Sequence, residues 1–421
     1  MNIIKNKKVF GVLIICLLIG ILGKTKYEEQ RNKKWLEDID YVVTILNKNH
    51  PNMYLKVSKK NFNKSIERLK KDVPNLKEYE IELRLQEILA TLRDAHTSLD
   101  MPSLYAKKYP MDFKWFKDKL IVISVDEKFK SILGKELIKI NDIPVKDILN
   151  KINSLPSYEN EQSLRYVNSG MIIWYYILKY YGITDKEKAN FTFKSDSKEE
   201  SISINPIKNL SYESLSKLSG LSSKKPIRAQ YDQDVYDHNY WYRYVKDDKT
   251  LYFQYNICHE AITVKDKEIK HGFGEFSTKL RKAISNENFD KLIIDLRYNR
   301  GGNCKLLENL YQDLESELSQ VKTFIFVGPA TFSAAIVNAV HLKAWYPNKV
   351  IILGEKPGQP LKFYNVDFFT LPNSKISLGC SIDPVDLTQY GVTIPEIHIE
   401  ETVGDYKNGI DPLYEWVKDY K

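Results

Sequence analysis

The sequence predicts an α/β protein with three regions that differ in the spacing of their apolar residues. From Thr250 onward, apolar strand-like runs alternate with helical segments, a pattern typical of a parallel or mixed sheet covered by helices. Apolar stripes with a helical period fill 27–92, and β-type runs follow them. We therefore predict a helical N-terminal domain over 25–102, a β-rich middle region over 103–240 and an α/β core over 241–421.

Length and composition agree with this division. The chain has 421 residues, which is long for one domain, and its 43% of hydrophobic residues are enough to form real cores. The net charge of +8 arises from 63 basic and 55 acidic residues that are interspersed along the chain. Because no long block carries one sign, we expect no nucleic-acid partner.

The first residues have the sequence pattern of a leader segment. Lys5, Lys7 and Lys8 precede an uninterrupted apolar run, Val9–Gly23, which is the pattern of a signal peptide or signal-anchor over 1–24. We expect retention as a single-pass anchor at the cell membrane, with cleavage and secretion as the alternative. The positive charge before the run predicts that the rest of the chain lies outside the cytoplasm.

Cysteine and histidine patterns exclude some chemistries. Cys258, Cys304 and Cys380 are too few for a disulfide-built scaffold. The sequence contains neither a C-x-x-C pair nor an H-E-x-x-H helix, so it offers no recognisable zinc ligand set. We expect neither a metal nor another cofactor.

The helical domain is predicted from two apolar stripes. One helix face carries Trp35, Ile39, Val42, Val43 and Leu46. His50-Pro51 is predicted to end that helix, because proline disfavours helical geometry in the residue before it. A second stripe over 81–92 leads into Asp94-Ala95-His96-Thr97, so the last helix delivers His96 to a domain boundary.

The middle region contains a segment that resembles a PDZ module. Gly134 to Val145 reads as a strand and turn, and Lys146 to Ile152 reads as an apolar helix. An ordinary β-hairpin is the alternative interpretation. If the module is PDZ-like, it would capture a peptide tail by adding it as a strand.

The core is predicted as alternating strands and helices. The strands are Thr250–Tyr255, Lys291–Leu296, Lys322–Val327 and Lys349–Gly354, and the helices are Gly272–Ser285 and Ser333–Trp345.

A polar turn with paired glycines follows the strand that ends near Leu296. Gly301 and Gly302 leave backbone N–H groups bare at the carboxyl end of the strand. Such groups can stabilise a developing oxyanion. A plain tight turn is the alternative.

Ser333 opens a helix after the next strand and turn. A serine in this position is most often an N-cap whose side-chain oxygen accepts a backbone N–H. The same position also suits a nucleophile, because its Oγ is exposed and the N–H of Ala334 can join an oxyanion hole. Both interpretations remain open on this segment alone.

Together these segments resemble the S41 serine peptidases, the carboxyl-terminal-processing and tricorn-core class. Asp295-Leu296-Arg297-Tyr298-Asn299-Arg300-Gly301-Gly302 resembles the Asp-Leu-Arg-x-Asn-x-Gly-Gly signature of that family, and Thr331-Phe332-Ser333-Ala334-Ala335 resembles its nucleophile turn. Gly354-Glu355 and the Asp-x-His element at 94–96 are also similar. The resemblance implies a ClpP/crotonase-like catalytic core, a peptide or protein substrate and Ser333 as nucleophile.

The two branches of the family differ in the general base. The carboxyl-terminal-processing branch uses a lysine in a Gly-Lys-Gly turn, which is missing here, so Lys356 and Lys362 are only fallback bases. The tricorn-core branch uses a histidine from the N-terminal part, and His96 stands where the resemblance implies that histidine. An imidazole can take the serine proton and return it to the leaving amine.

Some positions depart from the family pattern. Ala334 replaces a second serine, Ile336 replaces a glutamate, and no acid stands at Thr388 or Gln389, where the orienting glutamate of the tricorn-like branch would fall. Asp386 and Asp94 are the candidate orienting acids. These departures leave a second interpretation open: a catalytically silent S41-fold protein that binds a peptide or a lipophilic ligand.

Overall fold

The computed structural model describes residues 2–195, 198–208, 219–222, 224–230, 239–260, 263–264, 267–268 and 272–421, with side chains from residue 26 onward except at 219, 263–264 and 267–268. Two compact units divide the chain. One consists of 1–103 together with 366–382, and the other of 104–365 together with 383–421.

The first unit is a small helical domain completed by a returning hairpin. Its helices are Asn2–Asn49, Lys59–Asp72 and Glu78–Ala90. The first helix ends directly before His50, as the His50-Pro51 pair predicts. Ser58 begins the second helix, because its Oγ accepts the N–H of Asn61 at 3.2 Å.

The returning hairpin pairs with the end of the helical segment. Strand Ser98–Leu99 lies antiparallel to Ser377–Asp386, which pairs in turn with Lys362–Thr370. Buried Asp38 fixes the tip of the hairpin, since its carboxylate accepts the N–H groups of Asn373 and Ser374, each at 2.8 Å.

The predicted core range 241–421 therefore includes a segment, 366–382, that packs with the helical unit. The physical reason is a shared apolar cluster, to which Leu371, Ile376, Leu378 and Cys380 contribute beside the helix stripes. An apolar strand pattern shows that one face is buried but not which partner buries it.

The β-rich part of the second unit also contains three helices, Val145–Ile152, Glu161–Met171 and Tyr175–Tyr180. Its strands are Lys107–Lys108, Met111–Phe116, Lys119–Val125, Glu136–Ile140, Ile143–Pro144, Ala189–Ser195, Lys198–Ile204, Ile207–Lys208 and Ser219–Gly220. A strand, turn and helix are present over 136–152, as the sequence predicts. The comparison of that segment with a PDZ module stays a prediction.

The α/β part contains a six-stranded sheet in the order Tyr240–Val245, Thr250–Tyr255, Lys291–Asp295, Lys322–Val327, Val350–Gly354 and Ile397–His398. The first pair is antiparallel and all later pairs are parallel. The helices are Phe273–Asn286, Lys305–Asp313, Ala334–Trp345, Val403–Asn408 and Pro412–Asp419, and Thr263–Val264 pairs with Lys267–Glu268.

Apolar residues cover both faces of this sheet. One face packs against Phe276, Leu280 and Ala339, and the other packs against Leu413 and Val417. Burial on both faces explains why the parallel strands read as continuous apolar runs. The predicted α/β class with a helical N-terminal region is confirmed.

The predicted leader over 1–24 falls in the segment 1–25, whose side chains lie outside the described residues. Its backbone is part of helix Asn2–Asn49. In the part of the chain that the structure describes, none of the helices combines the length and the apolar character needed to cross a bilayer.

Candidate active site

Ser333 lies in a tightly fixed turn at the carboxyl end of a central strand. The strand Lys322–Val327 ends, and the hydroxyl of Thr331 then locks the turn, accepting the N–H of Gly328 at 2.9 Å and donating to the Leu296 carbonyl at 2.8 Å. The helix Ala334–Trp345 begins directly after Ser333. The hydrogen bond from Thr331 therefore ties this strand-to-helix turn to Leu296, at the end of the neighbouring strand Lys291–Asp295.

The backbone of Ser333 is strained. Its φ of 53° and ψ of −126° lie in a region that residues with a side chain seldom adopt. Its side chain accepts no capping hydrogen bond from the helix. The N-cap interpretation of Ser333 is therefore wrong, because an N-cap serine has extended geometry and its oxygen is occupied. Within its own unit, Ser333 Oγ makes no hydrogen bond to a described residue.

Gly301 contacts Ser333 from the neighbouring turn. Its φ is +101°, and a β-carbon built on it would lie 2.7 Å from Ser333 Cβ and 3.0 Å from the Ala334 nitrogen. The Gly301 N–H, however, donates to Asn299 Oδ1 at 2.8 Å. The prediction that Gly301 supplies an oxyanion donor is therefore wrong. Its role is to leave room for the serine.

Gly302 and Ala334 are the other two residues predicted to supply oxyanion donors. The Cys258 N–H donates to the Gly301 carbonyl at 3.0 Å, and the Cys258 carbonyl accepts the N–H of Asn303 at 2.7 Å. These two hydrogen bonds lie on either side of Gly302, which faces Cys258. Among the described residues, no acceptor receives the N–H of Gly302 or of Ala334. Ala334 is the first residue of its helix, where N–H groups have no intrahelical partner. These two groups are the candidate oxyanion donors.

Gln359 holds the backbone of Ser333, and sequence reasoning missed it. Its Oε1 accepts the Ser333 N–H at 2.6 Å, and its Nε2 donates to Glu159 Oε2 at 3.2 Å. No signal in the sequence identifies this residue, because its partners lie far away along the chain.

The fallback bases do not contact Ser333. Lys362 Nζ lies 2.8 Å from Asp386 Oδ2, and both side chains are exposed. Lys356 is exposed and makes no hydrogen bond to Ser333. Hydrogen bonds from Lys362 and Thr388 lower the pKa of Asp386 to about 2. The role of Asp386 as an orienting acid stays a prediction.

In the helical unit, Asp94 organises the segment that carries His96. Asp94 Oδ1 accepts the backbone N–H of His96 at 3.1 Å, and Oδ2 accepts the Thr97 hydroxyl at 2.8 Å. The Thr97 oxygen also accepts the N–H of Ser381 at 3.2 Å. Asp94 therefore fixes the backbone of His96.

His50 is the buried side-chain partner of Asp94. Its Nε2 lies 3.0 Å from Asp94 Oδ2, and the two side chains are only 3% and 5% exposed. The Nδ1 of His50 accepts the N–H of Asn52 at 3.2 Å, so Nε2 carries the hydrogen that faces the carboxylate. Burial alone would raise the pKa of Asp94, but hydrogen bonds from His50, Ser381 and Thr97 lower it. Sequence reasoning found the helix stop at His50 but missed this pair.

A cavity of about 370 Å³ lies beside the turn that precedes Ser333. Pro329 and Ala330 form one wall, and Trp115 and Tyr298 contribute aromatic surface. Glu355 also lines the cavity, and burial raises the pKa of its carboxyl group. The cavity offers space for a side chain or a small ligand.

No group of three or more His, Cys, Asp or Glu side chains in the described ranges is arranged to hold a metal ion.

Solved structures of CPAF share this fold. The structure of mature CPAF matches 92% of this chain and 96% of that chain, with a TM-score of 0.63 and 12% sequence identity. Mature CPAF complexed with lactacystin matches 92% and 97%, with a TM-score of 0.62 and 11% identity. The tricorn protease matches 92% of this chain and 36% of that chain at 13% identity, and its TM-score of 0.44 is too low to establish a shared fold.

No protein-family model and no curated protein matches the sequence. The structural matches confirm the predicted resemblance to S41-like serine peptidases at the level of the fold.

Proposed function

We propose that this protein is a serine peptidase of the S41 type in which Ser333 is the nucleophile. The observation that carries the proposal is the conformation of Ser333. Its backbone is strained at a strand-to-helix turn, and its side chain does not cap the helix. The same pair of turns carries the N–H groups of Gly302 and Ala334, for which none of the residues that the structure describes is an acceptor. Strain of this kind is typical of functional positions.

Peptide hydrolysis would proceed through an acyl-enzyme. Ser333 Oγ attacks the carbonyl carbon and forms a C–O bond while the imidazole of His96 accepts the hydroxyl proton. The N–H groups of Gly302 and Ala334 stabilise the negative charge on the carbonyl oxygen. The C–N bond then breaks, and His96 transfers the proton to the leaving amine. A water molecule then attacks the acyl carbon while His96 accepts its proton. The C–O bond to Ser333 breaks, His96 returns the proton to Ser333 Oγ, and the carboxylic acid leaves.

His96 is proposed as the general base for two reasons. It occupies the Asp-x-His element that resembles the family's motif, and Asp94 fixes its backbone. Asp94 acts here as a positioning residue rather than as a partner of the imidazole. The lysine alternative has weaker support, because Lys362 is already paired with Asp386.

Labelling with a fluorophosphonate probe tests the proposal. The wild type should be labelled, Ser333→Ala should not, and His96→Ala should lose labelling while Lys362→Ala retains it. Labelling that depends on Lys362 instead of His96 would move the chain to the Ser-Lys branch. Labelling that survives Ser333→Ala would refute the assignment of the nucleophile.

We also propose that the peptidase acts outside the cytoplasm, held at the cell membrane by the segment 1–24. The basic residues and the apolar run at 5–23 support this location. Fractionation of cells that express the full chain tests it. Protease-accessible protein in the membrane fraction would support an anchor, smaller protein in the medium would support secretion, and intact protein in the cytosol would refute both.

A second candidate function is binding of a peptide or lipophilic ligand without catalysis. The cavity of about 370 Å³ beside Pro329 and Ala330 favours it, because it offers aromatic surface at the turn of Ser333. Absence of probe labelling together with saturable binding of a peptide library would decide for this alternative.

A further inference from the structure

We propose that Gln359 is a positioning residue that holds Ser333 in its strained conformation, and that Glu159 sets the orientation of Gln359. The inference deepens the proposed function and rests on it. It joins the nucleophile turn to the β-rich part of the same unit, from which Glu159 comes.

The first contact is the hydrogen bond from the Ser333 N–H to Gln359 Oε1, at 2.6 Å. Gln359 is only 3% exposed, so water cannot readily replace it as the acceptor. Because this contact fixes the direction of the Ser333 peptide plane, it also fixes where the Cβ and Oγ of the serine point. It keeps the Ser333 N–H occupied and leaves that of Ala334 for the oxyanion.

The second contact determines which way the amide of Gln359 faces. A glutamine side chain has a donor end and an acceptor end, whereas an ionised carboxylate only accepts. Glu159 Oε2 lies 3.2 Å from Gln359 Nε2, so the donor end faces Glu159. The acceptor end is thereby directed to Ser333.

The backbone around Gln359 is fixed from both sides. Asn160 Nδ2 donates to the Pro357 carbonyl at 3.0 Å. A β-carbon on Gly358 would lie 2.2 Å from the Pro329 carbonyl oxygen, so only glycine allows this approach to the turn before Ser333. The segment 357–359 therefore lies between the Glu159–Asn160 loop and the nucleophile turn.

Exchanging the two side-chain types tests the inference. Gln359→Glu keeps an acceptor for Ser333 but places a second carboxylate against Glu159. It should lower kcat by about tenfold or more, with KM changed by less than about threefold. The double variant Gln359→Glu with Glu159→Gln restores one donor and one acceptor, and it should recover kcat to within about threefold of the wild type. Gln312→Glu, on an exposed helix face, is the matched control and should leave kcat unchanged.

Full activity of Gln359→Glu, or no recovery in the double variant, would overturn the inference. Hydrogen exchange of the Ser333 amide in the full chain provides a readout that needs no activity. Gln359→Ala should accelerate that exchange by about tenfold or more while leaving amide exchange in the strands of the sheet unchanged. If the wild type proved inactive, the proposed function would fail and the exchange result alone would decide, with unchanged exchange at Ser333 refuting the positioning role.

Discussion

Gly301 lies so close to Ser333 that a β-carbon on the glycine would fall 2.7 Å from the β-carbon of the serine. The signature Gly-Gly turn and the nucleophile turn are therefore in direct contact. Because Asn299 already binds the Gly301 N–H, the glycine supplies space and Gly302 supplies the candidate donor.

Gly301→Ala should abolish probe labelling and lower the free energy of unfolding by about 1–3 kcal/mol, since the methyl group must displace Ser333 and the φ of +101° disfavours alanine. Labelling and chemical denaturation measure the two effects. Gly182→Ala is the matched control, because Gly182 also has positive φ, +67°, but nothing lies within 4 Å of its added β-carbon. Normal labelling of Gly301→Ala would contradict the described contact.

Asp94→Asn should weaken labelling by about tenfold and lower the free energy of unfolding by about 2–4 kcal/mol. Both carboxylate oxygens accept hydrogen bonds, so in either orientation the amide places its donor end against the Nε2 hydrogen of buried His50 or the backbone N–H of His96. The pKa of Asp94 is lowered, so its stabilisation is present above the ordinary carboxyl pKa of about 4 and is lost as the pH falls. Unfolding curves of wild type and variant should converge at acidic pH. The exposed Asp118→Asn should show no such change.

Glu82 should make the helical unit less stable at alkaline pH. Burial raises its pKa to about 7, although hydrogen bonds from Ser103 oppose the shift. A carboxyl group whose pKa is raised in the folded state contributes stability that is fully present below its ordinary pKa. That stability is lost as the pH rises through the raised pKa of about 7. Glu82→Gln should remove up to about 3 kcal/mol of this pH dependence. An identical pH profile in the variant would contradict the prediction.

Asp411 should protect the core against acid. Burial would raise its pKa, but Arg297 and Arg228 lower it to about 2. Its stabilisation is therefore present above about pH 4 and is lost toward pH 2. Asp411→Asn should lower the free energy of unfolding by about 3–5 kcal/mol at neutral pH, because it leaves buried Arg228 and Arg297 without this carboxylate partner. Asp383→Asn, on the surface, should leave neutral and acid denaturation curves unchanged.

The sequence predicts the parallel strands and helices of the core closely, because each is buried on a full face and leaves a clear apolar pattern. Motifs also single out Ser333 and His96 as candidate site residues, and their catalytic roles stay predictions. The sequence does not reveal Gln359, whose importance comes only from partners at 159 and 333. Nor does it reveal that Asn299 occupies the Gly301 N–H, since such hydrogen bonds depend on backbone geometry.

The capping interpretation of Ser333 failed for a related reason. Capping preference reflects local geometry, whereas Ser333, with a φ of 53°, lies against Gly301 and donates its N–H to Gln359, two contacts that a local sequence pattern does not show. Similarly, the strand pattern of 366–382 does not show that it packs with the helical unit.

Peptide mapping by mass spectrometry after fluorophosphonate treatment of the full chain tests the central claim most directly. The account predicts one adduct, on the Ser333 hydroxyl, in a protein whose Gln312→Glu control is modified at the same rate. An unmodified Ser333, or an adduct on a different residue, would contradict it.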